Sequence, residues 1–246
     1  MKTRQKVRRA LIFTSFALLP ITLYYFSPVL SLSGTALGIV TGSLLVFAAL
    51  FVSSLFVGRL FCGWACPVGG LQEAVALARG RPVNRRRVGW IKWVIWAPWI
   101  AGVVFLAIRA GGFSRVDFFY QTWHGISVGE LPGLIAFVAV SLLFLVLSLA
   151  VGRRAGCHVI CWMAPFMIGG RKARNVLAWP SLGLAARTPA CTACGSCTKA
   201  CPMSIDVQAM VKASEMESSD CILCGSCVDG CPGKVIRYSF AGRRKS

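Results

Sequence analysis

The chain has 246 residues, 56% hydrophobic and only 14% charged, against about a quarter charged in an ordinary soluble domain. Its 27 Lys and Arg outnumber 8 Asp and Glu, for a formal net charge of +19. That charge does not read as nucleic-acid binding: the basic residues flank apolar blocks instead of covering a soluble face, and no nucleic-acid motif accompanies them.

Four apolar blocks follow one another. The first covers residues 10–30, after Lys2, Arg4, Lys6, Arg8 and Arg9. A basic start before an apolar stretch also fits a signal peptide, but this run is long and lacks a small-residue cleavage site, so a retained span is expected. The others cover 35–57, 90–108 and 131–151. Each has about the 20 residues needed to cross ~30 Å of hydrocarbon. Pro20 and Pro98 are expected to kink their helices. Lys92, the one charge inside a block, is expected to snorkel to the headgroups. Trp90, Trp93, Trp96 and Trp99 recur every three residues and form a helical stripe, read as packing and interfacial belt before a quinone-contacting wall.

Lys and Arg gather at the N-terminus, in the second connection (Arg59, Arg79, Arg81, Arg85, Arg86, Arg87) and after the fourth block (Arg153, Arg154, Arg171, Lys172, Arg174). They are absent or few in the first and third connections. The positive-inside rule then puts both termini and the second connection in the cytoplasm, in a multi-pass protein of the inner membrane, with basic flanks against anionic lipid.

Residues 191–202 read CTACGSCTKACP and 221–232 read CILCGSCVDGCP. Both are full C-x2-C-x2-C-x3-C-P runs, in which the fourth cysteine ligates the other of two [4Fe–4S] clusters. Cys191, Cys194, Cys197 and Cys231 are thus expected to hold one cluster, and Cys221, Cys224, Cys227 and Cys201 the second. Gly195 and Gly225 allow the tight turn, and Pro202 and Pro232 stop the runs. A disulfide scaffold is disfavoured on a cytosolic face, where thiols stay reduced. Zinc does not explain two runs ending in Cys-Pro.

Four cysteines remain. Val57 to Gly70 reads VGRLFCGWACPVGG and Val151 to Gly170 reads VGRRAGCHVICWMAPFMIGG. Each carries Val-Gly-Arg, Cys-x3-Cys, a proline and Gly-Gly, so residues 35–70 and 131–170 form an internal repeat. Each copy is expected just cytoplasmic of a span. Helical spacing puts Cys62 near Cys66 and Cys157 near Cys161, and the symmetry makes the four an additional metal or cluster site; two separate cysteine pairs are the alternative. His158 is expected to be interfacial.

Taken together, these features resemble the NapH/MauN ferredoxin-type proteins, over nearly the whole chain. The matching residues are Cys62, Cys66 and Pro67, then Cys157 and Cys161, then the eight C-terminal cysteines. The second motif departs from Cys-Pro, reading Cys161-Trp162-Met163-Ala164-Pro165. In that family NapH is the membrane part of a quinol dehydrogenase feeding periplasmic nitrate reductase, and MauN belongs to methylamine utilisation.

The expected fold is an α-helical membrane protein of four transmembrane helices (1–178) with a small α+β ferredoxin-like domain binding two [4Fe–4S] clusters (179–246). The expected function is electron transfer between the quinone pool and a redox partner protein, ferredoxin-like or a cytochrome subunit. The alternative is an accessory reductase for assembling or reactivating a metalloenzyme. Glu73 is expected to take a quinol proton, with its pKa raised by desolvation. Asp117, His124 and Glu130 read as a solvated loop. No C-x-x-C-H for haem and no dinucleotide fingerprint is present.

Overall fold

The N-terminal apolar block does not form one straight rod. In the computed structural model, which describes residues 2–242 with the side chain of Arg86 excepted, α1 (Thr3–Ala17) gives way at Leu18 to α2 (Leu19–Thr22) and a 3-10 turn, Leu23–Phe26, bent by 57° from α1. Pro20 explains the break, because it has no N–H to give to the preceding turn. Positions 243–246 of the C-terminal domain lie outside the described residues.

The second apolar block is also divided. α3 (Pro28–Ala36) starts on the Ser27 hydroxyl, which accepts from the Leu30 amide at 3.3 Å. Helix then yields to β1 (Ile39–Thr41), and α4 (Gly42–Val57) follows, capped by Thr41. The helix predicted over 35–57 therefore begins only at Gly42. The β-branched Ile39, Val40 and Thr41 favour extended backbone. They pair in parallel with β2 (Arg115–Asp117), Ile39 opposite Arg115, and the Ser114 amide donates to Gly38 O at 2.8 Å.

α5 (Leu60–Trp64), α6 (Pro67–Ala78) and α7 (Arg85–Val88) lead to α8 (Ile91–Arg109), which runs unbroken past Pro98. α9 (Leu131–Ala150), α10 (Ala155–Val159) and α11 (Met163–Leu177) complete the helical part. The order long helix, short helix, helix thus occurs twice, as α4–α5–α6 and α9–α10–α11. Among the described residues α8 and α9 are long and apolar enough to cross a membrane, the bent α1–α2 segment makes a third if it is one span, and α4 is apolar but shorter.

α6 and α11 do not run out into solvent. α6 lies antiparallel along α1, with Gly70 against Ile12 and Phe16 and Glu73 against Arg8. α11 lies parallel to α4, with Phe166 stacked on Phe47 at 5.3 Å and Gly170 against Phe51 and Ser54. A Cβ on Gly170 would stand 2.7 Å from Phe51 O, so the close approach requires glycine there. The tryptophan stripe joins α8 to α11: Trp96 and Trp99 meet Phe166 edge-on at 5.4 and 5.6 Å. Trp90 stands exposed at its end.

The C-terminal segment comprises β3 (Ser181–Ala186), α12 (Ser196–Ala200), α13 (Val207–Lys212), α14 (Ser226–Asp229) and β4 (Ile236–Ala241). β3 and β4 pair antiparallel, Ser181 opposite Ala241 and Ala186 opposite Ile236. Met203, Ile205, Val207, Val211, Ile222 and Ile236 are buried between the cysteine loops. This unit is fastened to α1: Arg4 grips Asp229 with two nitrogens, at 2.6 and 3.0 Å, and Gln5 Nε2 donates to Cys224 O at 3.0 Å. Lys92 is buried here too, its ammonium 3.4 Å from Asp220. It does not snorkel, because the loop before Cys221 brings a carboxylate to it.

Candidate iron–sulfur and thiol sites

The two C-terminal runs fold as near-copies. Ala193 and Leu223 have φ of 55° and 49°, and Gly195 and Gly225 have 72° and 74°. Positive φ at two positions separated by one residue curls each loop tightly, a backbone shape that can gather N–H groups toward an anionic centre. Cys191, Cys194, Cys197 and Cys231 line one cavity. Cys201, Cys221, Cys224 and Cys227 line the other. The fourth cysteine of each run therefore faces the cavity of the other run. The first set is the more open, with Cys194 exposed; in the second, Cys201, Cys224 and Cys227 are buried. Burial pushes the Cys221 thiol up to about 12, while hydrogen bonds from Ser196 lower Cys194.

The Cys-x3-Cys copies are also superimposable in local hydrogen bonding. The Cys62 amide donates to Arg59 O at 3.1 Å and the Cys157 amide to Arg154 O at 3.0 Å. The Cys66 amide donates to Phe61 O, and the Cys161 amide to Gly156 O, both at 2.9 Å. Each pair straddles a one-turn helix, and each second cysteine leads into a longer helix, α6 or α11. Cys62, Cys66, Cys157 and Cys161 are all buried and share one core. They are mutual electrostatic neighbours: burial pushes the Cys66 thiol up, and charge on Cys62, Cys157 and Cys161 adds to it. The site was expected at the membrane edge. In the structure the four cysteines pack among the helices, where Ala65 O accepts from Ser15 and the Trp162 indole donates to Phe26 O at 2.6 Å.

Around the four sulfurs stand groups the sequence reading did not assemble. Gln72 Nε2 is 3.5 Å from Cys157 Sγ, and Met167 Sδ is 3.5 Å from Cys62 Sγ. Arg154 Nη1 donates to Cys62 O at 2.9 Å. Arg59 is 1% exposed, ion-pairs with Asp220 at 3.5 Å, and faces the Cys62 thiol. One signal did exist: Arg59 and Arg154 both precede the first cysteine of their motif by three residues. Among the described residues no three His, Cys, Asp or Glu side chains close around a single metal ion, at these four cysteines or at the C-terminal runs.

Glu73 differs from its expected role. Its carboxylate is ion-paired with Arg8 and lies 3.0 Å from Arg154 Nη2. Burial alone would raise its pKa, but Arg154 and Arg8 outweigh burial and hold it at about 2. A carboxyl so held is a fixed negative charge, not a proton acceptor. His158, expected at the interface, is buried with Nε2 unpartnered. On the third connection His124 and Glu130 are exposed, and Asp117 accepts from the Phe119 amide at 3.1 Å.

Comparisons with known proteins agree with the cysteine content. The family model described as 4Fe-4S binding domain matches residues 39–86, and that described as 4Fe-4S dicluster domain matches 185–232. The methylamine utilization ferredoxin-type protein MauN of Methylorubrum extorquens is 30% identical over 187 residues, 71% of this chain and 59% of MauN. The chain thus matches somewhat over half the length of that relative. No solved structure matches. In its two 4Fe-4S-type segments and in this shared stretch, the chain is similar to MauN and carries the marks of a ferredoxin-type iron–sulfur protein.

Proposed function

We propose that this protein carries electrons from membrane quinol to a redox partner protein at the cytoplasmic face, through two [4Fe–4S] clusters with crossed ligation. Cys191, Cys194, Cys197 and Cys231 hold the outer cluster, and Cys221, Cys224, Cys227 and Cys201 the inner one. The observation that carries the reading is the gradient of exposure. The inner loop is pressed into the helical part, with Leu223 O accepting from Trp64 Nε1 at 3.1 Å and Ile222 and Leu223 buried. The outer loop opens to solvent at Cys194. Electrons entering from the membrane meet the inner site first and leave from the outer one. A quinol releases two electrons and two protons, and each cluster takes one electron; Glu73, paired with two arginines, is not the base.

In this reading α1–α2, α4, α8 and α9 all span the membrane, with both termini cytoplasmic. Quinol is oxidised where α4–α6 and α9–α11 surround the four buried thiols, because the outer face lies across ~30 Å of hydrocarbon from the C-terminal cysteines. Reporter fusions test the topology: one at residue 120 and one at the C-terminus should give opposite signals, and matching signals would refute the four-span arrangement. Stopped-flow mixing of a quinol analogue with the protein in anaerobic vesicles tests the chemistry. Bleaching of cluster absorbance is expected. Clusters that reduce with dithionite but never with quinol would leave the protein an iron–sulfur carrier with another donor.

A further inference from the structure

We propose that Cys62, Cys66, Cys157 and Cys161 hold a third [4Fe–4S] cluster, with Arg59 and Arg154 as its counter-charges and Gly63 as its contact to the inner C-terminal cluster. The proposal rests on the iron–sulfur reading above, but not on quinol as the donor.

Charge is the first argument. Arg8, Arg59, Lys92 and Arg154 are each at most 3% exposed. The carboxylates that pair with them are Glu73, for Arg8 and Arg154, and Asp220, for Arg59 and Lys92. Four buried cations thus face two carboxylates, and Asp220 also serves the half-exposed Arg85 at 3.1 Å. Buried charge without compensation is strongly unfavourable. Four protonated thiols supply none. An oxidised [4Fe–4S] cluster with four thiolates is a dianion, which cancels the surplus.

Direction is the second argument. The Arg59 guanidinium has one carboxylate contact, Asp220 at 3.5 Å, and otherwise faces the thiols of Cys62, Cys157 and Cys161. Buried guanidinium donors are normally satisfied; sulfide and thiolate sulfurs of a cluster would accept from them. The Gly69 and Ala164 amides already point at the sulfurs of Cys66 and Cys161. Those amides belong to the first turns of α6 and α11, so two helix N-termini converge on the site with their positive ends inward.

Connection is the third. A Cβ built on Gly63 would collide with Ile222 O and stand 3.4 Å from the Cα of Cys224. The residue following Cys62 therefore touches the backbone of an inner-cluster ligand. An electron leaving the four-cysteine site crosses one residue to reach that cluster: one centre is oxidised by one electron as its neighbour is reduced by one. The match of a 4Fe-4S binding family to residues 39–86 covers Cys62 and Cys66; Cys157 and Cys161, outside both matched segments, complete the ligand set from the second copy of the repeat.

The test is iron and acid-labile sulfide analysis of the full-length protein purified anaerobically. About twelve of each per chain are expected, against about eight for two clusters. The Cys62→Ser, Cys157→Ser double variant should lose about four of each and keep the EPR signals of the two remaining clusters. Arg59→Gln should keep all the iron and shift one centre to a more negative reduction potential. If the double variant does not accumulate, the count on the wild-type chain decides. About eight iron with four alkylatable thiols would overturn the proposal in favour of two dithiol pairs. One zinc per chain, lost on Cys62→Ser, would overturn it in favour of a single-ion site. Neither count depends on whether quinol reduces the protein.

Discussion

Glu73→Ala is expected to destabilise the helical part by about 3–5 kcal/mol, the cost of breaking a buried ion pair by removing one partner. The substitution strands Arg8 and Arg154, both buried, without their shared carboxylate. The sign of the pH dependence follows from the same contacts. The folded carboxyl sits at about 2 against an ordinary 4.5, so its contribution is fully present above about pH 4.5 and is lost as pH falls towards 2. Thermal unfolding in detergent, followed between pH 3 and 7, should show wild type weakening towards the acid end and Glu73→Ala already weak and flatter. Equal stability of the two proteins at pH 7 would contradict the ion-pair assignment.

The second large effect is expected from Cys231→Ser. Its cavity is shared with Cys191, Cys194 and Cys197, not with the three cysteines before it in its own run. The cluster held by the 191–197 loop should lose an iron and give a [3Fe–4S] EPR signal, or be lost, while the Cys221, Cys224 and Cys227 cluster keeps its spectrum. Cys201→Ser should do the reverse. Damage confined to the loop that carries the mutation would refute crossed ligation.

What was legible in the sequence was local. The C-x2-C-x2-C-x3-C-P runs announce their chemistry because three ligands come from one tight turn, and the apolar blocks announce helices because burial in lipid demands unbroken hydrophobicity. The repeat of Val-Gly-Arg and Cys-x3-Cys also showed, and the structure brings its four cysteines into one core. What was hidden depended on distant partners. Nothing near Ile39 shows that Arg115–Asp117 will draw it into a strand. Nothing near Glu73 shows that Arg8 and Arg154 will close on it, and the expectation of a raised pKa failed because only desolvation was visible. Lys92 read as a snorkelling side chain for the same reason: Asp220, its partner, lies 128 residues away.

The clamp between α1 and the inner cysteine loop has a consequence for biogenesis. Arg4 and Asp229 are 225 positions apart. At ~5–20 residues per second, roughly 10–45 s separate the synthesis of one from the other. Throughout that interval Gln5, which in the finished protein is buried and donates to Cys224 O and Asp229, has no C-terminal module to cover it. Closing the molecule therefore reports that the late segment has been made and shaped. The first helix is in this sense the protein's own gauge of completion.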